Sequence, residues 1–308
     1  MEKEEWDNWT SPVEFLLLGL GNVPKLQMPL FLLSLMIYMV TMFGNILIVV
    51  LVVADRHLHT PMYFLLGNFS SVEIFCTSTI LPRLLASFLT GDRTISDHGC
   101  FVTVMTQFYF FGCFAATECY LLATLSYDRY LAICQPLLCA SLMNWKVCLQ
   151  LAAGSWLAGL LMSTVVTWLF SQLQFCGPNA IDHFFCDFTP LLELSCSDTT
   201  VLTLVTFIIC FLDVVFPFLF ILASYVCIIV AILRIPTSMG RQKAFSTCSS
   251  HLTVVTVFYG TLIIVYMMPR PAPLRQLNKM LSFFYTILTP MVNLLIYSLR
   301  KREVKGAL

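Results

Sequence analysis

Charge is what this sequence has least of. Only 11% of its 308 residues are Asp, Glu, Lys or Arg, and 58% are hydrophobic. Soluble domains carry about 25% charged and about 45–50% apolar residues. A water-soluble chain of this length cannot cover its surface with so few charges, so the composition excludes a soluble domain and places the chain in lipid. The mean hydropathy of +0.85 agrees. Seventeen basic residues balance seventeen acidic ones, which argues against nucleic acid as a partner. Hydrolytic signatures are missing too. Neither Gly-x-Ser-x-Gly nor His-Glu-x-x-His occurs, so the sequence offers no intramembrane protease site and no enzyme is expected. There is no internal repeat of the kind transporters carry. The acidic N-terminus (Glu2, Glu4, Glu5, Asp7) lacks the basic region of a cleavable signal peptide.

Long apolar runs remain. A helix needs about 20 residues to cross about 30 Å of hydrocarbon. Leu26 to Ala54 is free of formal charge, Pro61 to Leu81 holds only Glu73, and Gly99 to Tyr127 holds only Glu118. Val147 to Ile181 is uncharged and longer than one span, so its end is expected to leave the bilayer. Thr199 to Leu233 holds only Asp213, while Ala244 to Pro269 and Met280 to Leu299 hold no charge. These runs are too long for barrel strands, which need about 9–11 residues. The expectation is an all-α membrane protein with a seven-transmembrane helix bundle over 26–299, an outer arm over 1–25 and a cytosolic tail over 300–308.

Sidedness follows from counting. With the N-terminus outside, the inner segments hold ten basic residues and three acids, a net of +7. The outer segments then hold seven basic residues and eleven acids, a net of −4, and three acids fall within spans. The positive-inside tendency therefore predicts N-terminus outside and C-terminus cytosolic, with the first span as its own insertion signal. On the outer side, Asn8-Trp9-Thr10 is a glycosylation sequon. A second sequon at Asn68 lies inside a span, out of reach. Cys100, Cys176, Cys186 and Cys196 also fall outside; four cysteines on an oxidising face suggest two disulfides, with three pairings open. The other nine read as small apolar residues. Only His183 joins the loop cysteines, so neither a metal nor a cofactor is expected. The basic run Arg300 to Lys305 suits anionic membrane lipid, or serves topology alone.

Ser126 to Cys134 sets Asp128 beside Arg129 where the third apolar run ends. Charge next to hydrocarbon is expensive and usually functional. On the cytosolic side, Arg129 can pair with Asp128 or reach for a partner, the chemistry of a switch that reports across a membrane.

A set of motifs in a fixed order carries a resemblance. They are Gly44-Asn45; Leu58-His59-Thr60-Pro61-Met62-Tyr63; the segment Ser126 to Cys134; Ser224-Tyr225; Lys243 to Leu252; and Pro290 to Tyr297. Across nearly its whole length the chain resembles olfactory receptors of the tetrapod type, within the rhodopsin-like G-protein-coupled receptors. The resemblance implies a plasma-membrane, multi-pass receptor of olfactory cilia. A small volatile odorant would bind between the outer halves of the helices. The sixth helix would swing outward, and a heterotrimeric G protein of the stimulatory olfactory type would raise cyclic AMP. A chemoreceptor of the same type acting outside the nose, or a poorly functional copy, is the alternative.

The resemblance also assigns roles. Asp128, Arg129, Tyr130, Tyr225, Asn293 and Tyr297 form the coupling switch. Asn45, Glu73 and Glu118 form a polar core, where the acids could share a proton or hold a cation. Cys100–Cys186 and Cys176–Cys196 are the implied disulfides. Phe108, Phe111, Gly112, Ala115 and Ala116 of the third helix are expected to line the ligand site. Ile209, Tyr259, Leu262, Tyr266 and Thr286 complete it, with Tyr259 as a trigger. Asp213, an acid one turn before Pro217, is expected to meet a basic or hydrogen-bond-donating odorant, or else to bond a neighbouring helix. Two departures stand out. Leu294 occupies a position where related chains have proline, restoring a backbone N–H. The stretch from Cys100 to Glu118 is about four residues longer than in relatives, which is one extra helical turn unless a bulge absorbs it.

Overall fold

Helix starts in this protein are set by local chemistry. Pro61 opens the second long helix with the Thr60 carbonyl accepting from Phe64 N–H at 3.0 Å, the favoured place for proline. Asn144 caps the helix beginning at Trp145 by accepting from Val147 N–H at 3.0 Å, and Thr237 does the same for Gly240 N–H. Asp198 takes both the N–H and the hydroxyl of Thr200.

The computed structural model describes residues 14–17, 24–90, 94–96, 100–175, 180–181, 183–185, 188–192, 194–267 and 275–291. Its helices are α1 (Pro24–Ala54), α2 (Pro61–Thr90), α3 (Cys100–Cys134), α4 (Pro136–Leu142) and α5 (Trp145–Ser171), then α6 (Phe188–Leu192), α7 (Thr200–Cys210), α8 (Phe216–Leu233), α9 (Ser238–Leu262) and α10 (Arg275–Phe283). Five spans are long and apolar enough to cross a membrane: Gln27–Ala54, Pro61–Thr90, Val102–Cys134, Trp145–Ser171 and Thr200–Leu233. The apolar part of the sixth is His251–Val265. The seventh is described to residue 291 only.

Helix ends differ from the uncharged runs in one direction. α2 continues to Thr90 past Arg83, α3 continues to Cys134 past Asp128 and Arg129, and α9 begins at Ser238, before Lys243. A helix that leaves the bilayer can carry charge, so a charge-free run underestimates it. α5 instead stops at Ser171, ten residues before the uncharged run ends at Ile181. α3 runs from Cys100 to Cys134 as one unbroken helix of 35 residues, about 52 Å long.

Three π-helical turns interrupt the outer helices, at Phe211–Val215, Ile263–Met267 and Phe284–Leu288. Each is centred four residues before a proline: Asp213 before Pro217, Val265 before Pro269 and Thr286 before Pro290. Proline cannot donate to the carbonyl four residues back, and a widened turn accommodates that lost bond. Each turn contains a residue expected at the ligand site: Asp213, Tyr266 or Thr286.

The bundle is wholly helical, but three short strands lie outside it. β1 (Glu14–Leu17) pairs antiparallel with β2 (Thr94–Ser96) and parallel with β3 (Ala180–Ile181). The N-terminal arm is thereby tied to two loops of the same end, an arrangement no periodicity in such short segments announced.

α3 and α5 meet closely at Gly159. A Cβ there would stand 2.5 Å from the Cys113 carbonyl oxygen and against the Thr117 side chain. Gly159→Val should therefore force the helices apart at a cost of about 1–3 kcal/mol. Cell-surface staining of the tagged variant is expected to fall well below wild type, whereas Gly154→Val, whose Cβ meets nothing within 4 Å, should not reduce it.

Candidate functional site

Midway along the bundle, α2 and α3 each bury an acid. Glu73 is 1% exposed and Glu118 5%. Both line one small cavity with Cys76, Phe111, Tyr285, Thr286, Thr289 and Pro290. Its open volume is about 10 Å³, near the minimum for a single water. Oε1 of Glu118 finds no hydrogen-bond partner among the described residues. Asn45, expected with these acids, is buried but gives its amide to the Thr41 carbonyl of its own helix at 3.1 Å. Thus the two acids share a site with two expected ligand residues, Phe111 and Thr286.

Outward of that cavity the loop after β3 turns inward. His183, Phe184 and Phe185 are all buried. Phe185 meets Phe111 edge-on at 5.0 Å between ring centroids, and Phe184 meets Phe283 of α10 at 5.9 Å. His183 stacks on Phe184 at 4.7 Å. These three residues were not anticipated as site residues. The readable signal was an aromatic triplet inside an otherwise acidic loop.

The expected ligand wall divides in two. Phe111, Tyr259 and Leu262 belong to the central core with Phe184 and Phe185. Phe108 packs on Phe170 at 5.3 Å in a second outer cluster, which Ile209 joins. Gly112 faces α5, where an added Cβ would meet Ser163 Oγ at 3.1 Å. Ala116 is buried and Ala115 half-buried. Tyr266 lies in its π turn, with its side chain outside the described residues.

Two tyrosines tie α3 to its neighbours. The Tyr259 hydroxyl donates to the Cys119 carbonyl at 3.2 Å, and its ring packs on Phe218 at 5.0 Å, joining α9, α3 and α8. Tyr120 donates to Oδ1 of buried Asp213 at 2.8 Å. The acid read as a candidate odorant partner is thus bonded to a neighbouring helix, the other reading its sequence allowed. Tyr120→Phe should loosen this tie by about 1–3 kcal/mol, the range for a bond to a group left unsatisfied when buried; a lower melting temperature of the detergent-solubilised protein checks it.

At the opposite end of α3, Asp128 and Arg129 face different partners. Asp128 is buried, and its charge is felt at Cys139 of α4 and Cys148 of α5. Arg129 is half-buried, and its charge is felt at Tyr225, Cys248 and His251. Successive helical residues point about 100° apart, which separates the pair. Tyr225 of α8 and His251 of α9 lie 2.7 Å apart, from hydroxyl oxygen to Nδ1. Tyr130 packs where the central core meets the α3–α5 cluster. His251, which stands within a quoted motif, is thus held against Tyr225, a contact the sequence reading passed over. Asn293, Leu294 and Tyr297 lie outside the described residues.

Among the described residues nine cysteines are free thiols, the nine read as small apolar residues. Cys196 is disulfide-bonded. Its N–H bonds the Gln174 carbonyl at 3.0 Å, and Phe175 pairs with Ser195. Cys176, Cys186 and Asn8 are outside the described residues, as is the side chain of Cys100, which begins α3.

Comparison with known proteins agrees with this architecture. The family model for olfactory receptors matches residues 33–308. Olfactory receptor 5B21 of Mus musculus is 47% identical over 302 residues, covering 98% of this chain and 93% of that protein. The Homo sapiens olfactory receptor 5B21 is also 47% identical, covering 98% and 96%. Olfactory receptor 6P1 of Homo sapiens is 48% identical over 294 residues, covering 96% and 92%. A multi-pass helical membrane protein, with a buried polar centre and an arginine at one end of its longest helix, thus belongs to the olfactory receptor family, G-protein-coupled receptors rather than enzymes.

Proposed function

We propose that this protein is an odorant-activated receptor that couples to a stimulatory olfactory-type G protein and raises cyclic AMP. The observation that carries this reading is the arrangement along α3. Phe111 and Glu118 face an enclosed space in the bundle, while Arg129 stands eleven residues further on, about 16 Å along the same helix, beside α8 and α9. A ligand that shifts α3 against α9 at one end changes what Arg129 can reach at the other. Apolar walls with few polar groups suit a small volatile molecule. The family supports the same assignment.

In this reading the structure is the resting arrangement. Tyr259 holds α9 to α3, and Tyr225 spends its hydroxyl on His251. When α9 moves outward both bonds break, and Tyr225 and Arg129 become available to the G protein. Glu73 and Glu118 share a proton or hold a cation between them, setting the balance of the two states. The seven spans run with the N-terminus and Asn8 outside and the basic tail at the cytosolic leaflet. Cys100–Cys186 and Cys176–Cys196 staple the outer loops; the backbone pairing of Phe175 with Ser195 supports the second.

Tyr259→Phe tests the trigger. It keeps the ring and removes the bond to Cys119. One net hydrogen bond is about 0.5–1.5 kcal/mol, so the resting-to-active ratio should fall about two- to tenfold. Basal cyclic AMP, normalised to surface level, is expected to rise. An unchanged or lower basal signal would remove Tyr259 from the switch.

A further inference from the structure

We propose that Lys279 is a cationic anchor of the ligand cleft and selects odorants that carry a carboxylate. The proposal rests on the odorant-receptor reading above and adds the ligand class. By charge alone, Lys279 belongs with the basic residues of the outer loops, one position before the last apolar run. The structure places it one turn inside α10 and buries it to 5% exposure.

The two faces of α10 show that this burial is directional. Leu277, Met280 and Phe284 are roughly half exposed and turn away from the bundle. Lys279, Ser282 and Phe283 are each 5% exposed or less and turn into it. On a helix in lipid the apolar residues face outward, and an inward ionisable group marks a functional site. A buried ammonium is tolerated only with polar or anionic company. Lys279 is engaged within the folded protein, so an anionic ligand would join or replace that engagement.

Lys279 shares its inward face with aromatic side chains. Phe283, one turn further along the same face, meets Phe184, which stacks on His183. Phe185 beside them meets Phe111. Thr286, seven residues from Lys279 and about 10 Å along the helix, lines the central cavity. A cation, an aromatic ring and a hydroxyl set in that order along one inward helix face fit an amphiphile with an anionic head and an apolar tail. Such a site, apolar with a few placed polar groups, orients a ligand through its polar end. By contrast Asp213, the acid that would suit an amine, is bonded to Tyr120.

The test compares wild type, Lys279→Gln and Lys279→Arg at matched surface level. Cyclic AMP is read against straight-chain carboxylates, their methyl esters and the corresponding alcohols. At least one carboxylate should activate wild type. Lys279→Gln should raise its half-maximal concentration by about tenfold or more, the scale of one lost charged hydrogen bond, while Lys279→Arg retains most of the response. Neutral agonists should be unaffected. If wild type answers only neutral odorants, or Lys279→Gln weakens acids and neutral odorants alike, the assignment falls and the receptor reading stands. Should Lys279→Gln fail to reach the surface, Lys279→Met is read in its place; if both fail, Lys279 is a structural tie and the assignment is wrong. Wild type at the surface with no response to any odorant overturns both readings.

Discussion

Arg129→Ala is expected to abolish the cyclic AMP response to every agonist while leaving the protein at the cell surface. The residue is half-buried at the far end of α3 from Cys100, so truncation leaves no sealed cavity and little packing is lost. What disappears is a guanidinium whose positive charge reaches Tyr225 and His251. Its planar fork of donors is suited to accepting groups on a docking partner. Arg129→Lys keeps the charge and loses the fork, so it should retain only part of the maximal response. Asp128 offers the matching control. It is buried and engaged within the folded protein, so Asp128→Ala removes that engagement and should lower surface expression first. A response that persists at wild-type size in surface-expressed Arg129→Ala would remove this end of α3 from signalling.

Cys196→Ser should have the second large effect, on folding rather than signalling. Cys196 is disulfide-bonded and stands just after the loop that carries β3, the inward aromatic triplet and α6. If its partner is Cys176, as proposed, the closed loop is about twenty residues, and removing such a bond costs about 3 kcal/mol. That is a large fraction of a stability of about 5–15 kcal/mol. The loop also seats Phe188 against Phe170 and Phe108, so its release should expose an apolar cluster and trap the chain inside the cell. Surface staining is expected to fall to a small fraction of wild type, while total protein by immunoblot falls less. Normal surface staining would show that the loop holds without its bond.

The sequence made the bundle legible because lipid imposes a strict rule: backbone groups must be satisfied within each span, so long uncharged runs are helices. It misjudged helix ends where helices pass into water, as at Thr90, Cys134 and Ser238, since charge is no barrier there. Proline spacing was readable in principle. Pro217, Pro269 and Pro290 each follow the centre of a π turn by four residues, but Pro82 lies inside α2 without one, so proline alone does not foretell the bulge. The site was legible where one residue type is rare for its surroundings. Glu73, Glu118 and Arg129 were found as charges near hydrocarbon, and the first two do share a cavity. Pairings across helices were not legible. Nothing in sequence spacing joins Tyr120 to Asp213 or Tyr225 to His251, because those bonds depend on how α3, α8 and α9 pack. Lys279 was hidden for a related reason: its burial depends on which way α10 faces, and charge counting assigns it to the surface.

The central claim is that ligand occupancy within the bundle is reported by Arg129 to a stimulatory G protein. Its most direct test is cyclic AMP in odorant-treated cells expressing the surface-tagged chain, with and without the olfactory-type stimulatory G protein. A dose-dependent rise to at least one small odorant is expected, requiring the G protein and absent in Arg129→Ala. A chain that reaches the surface yet yields no rise to any odorant, or a rise of equal size without the G protein, would contradict it.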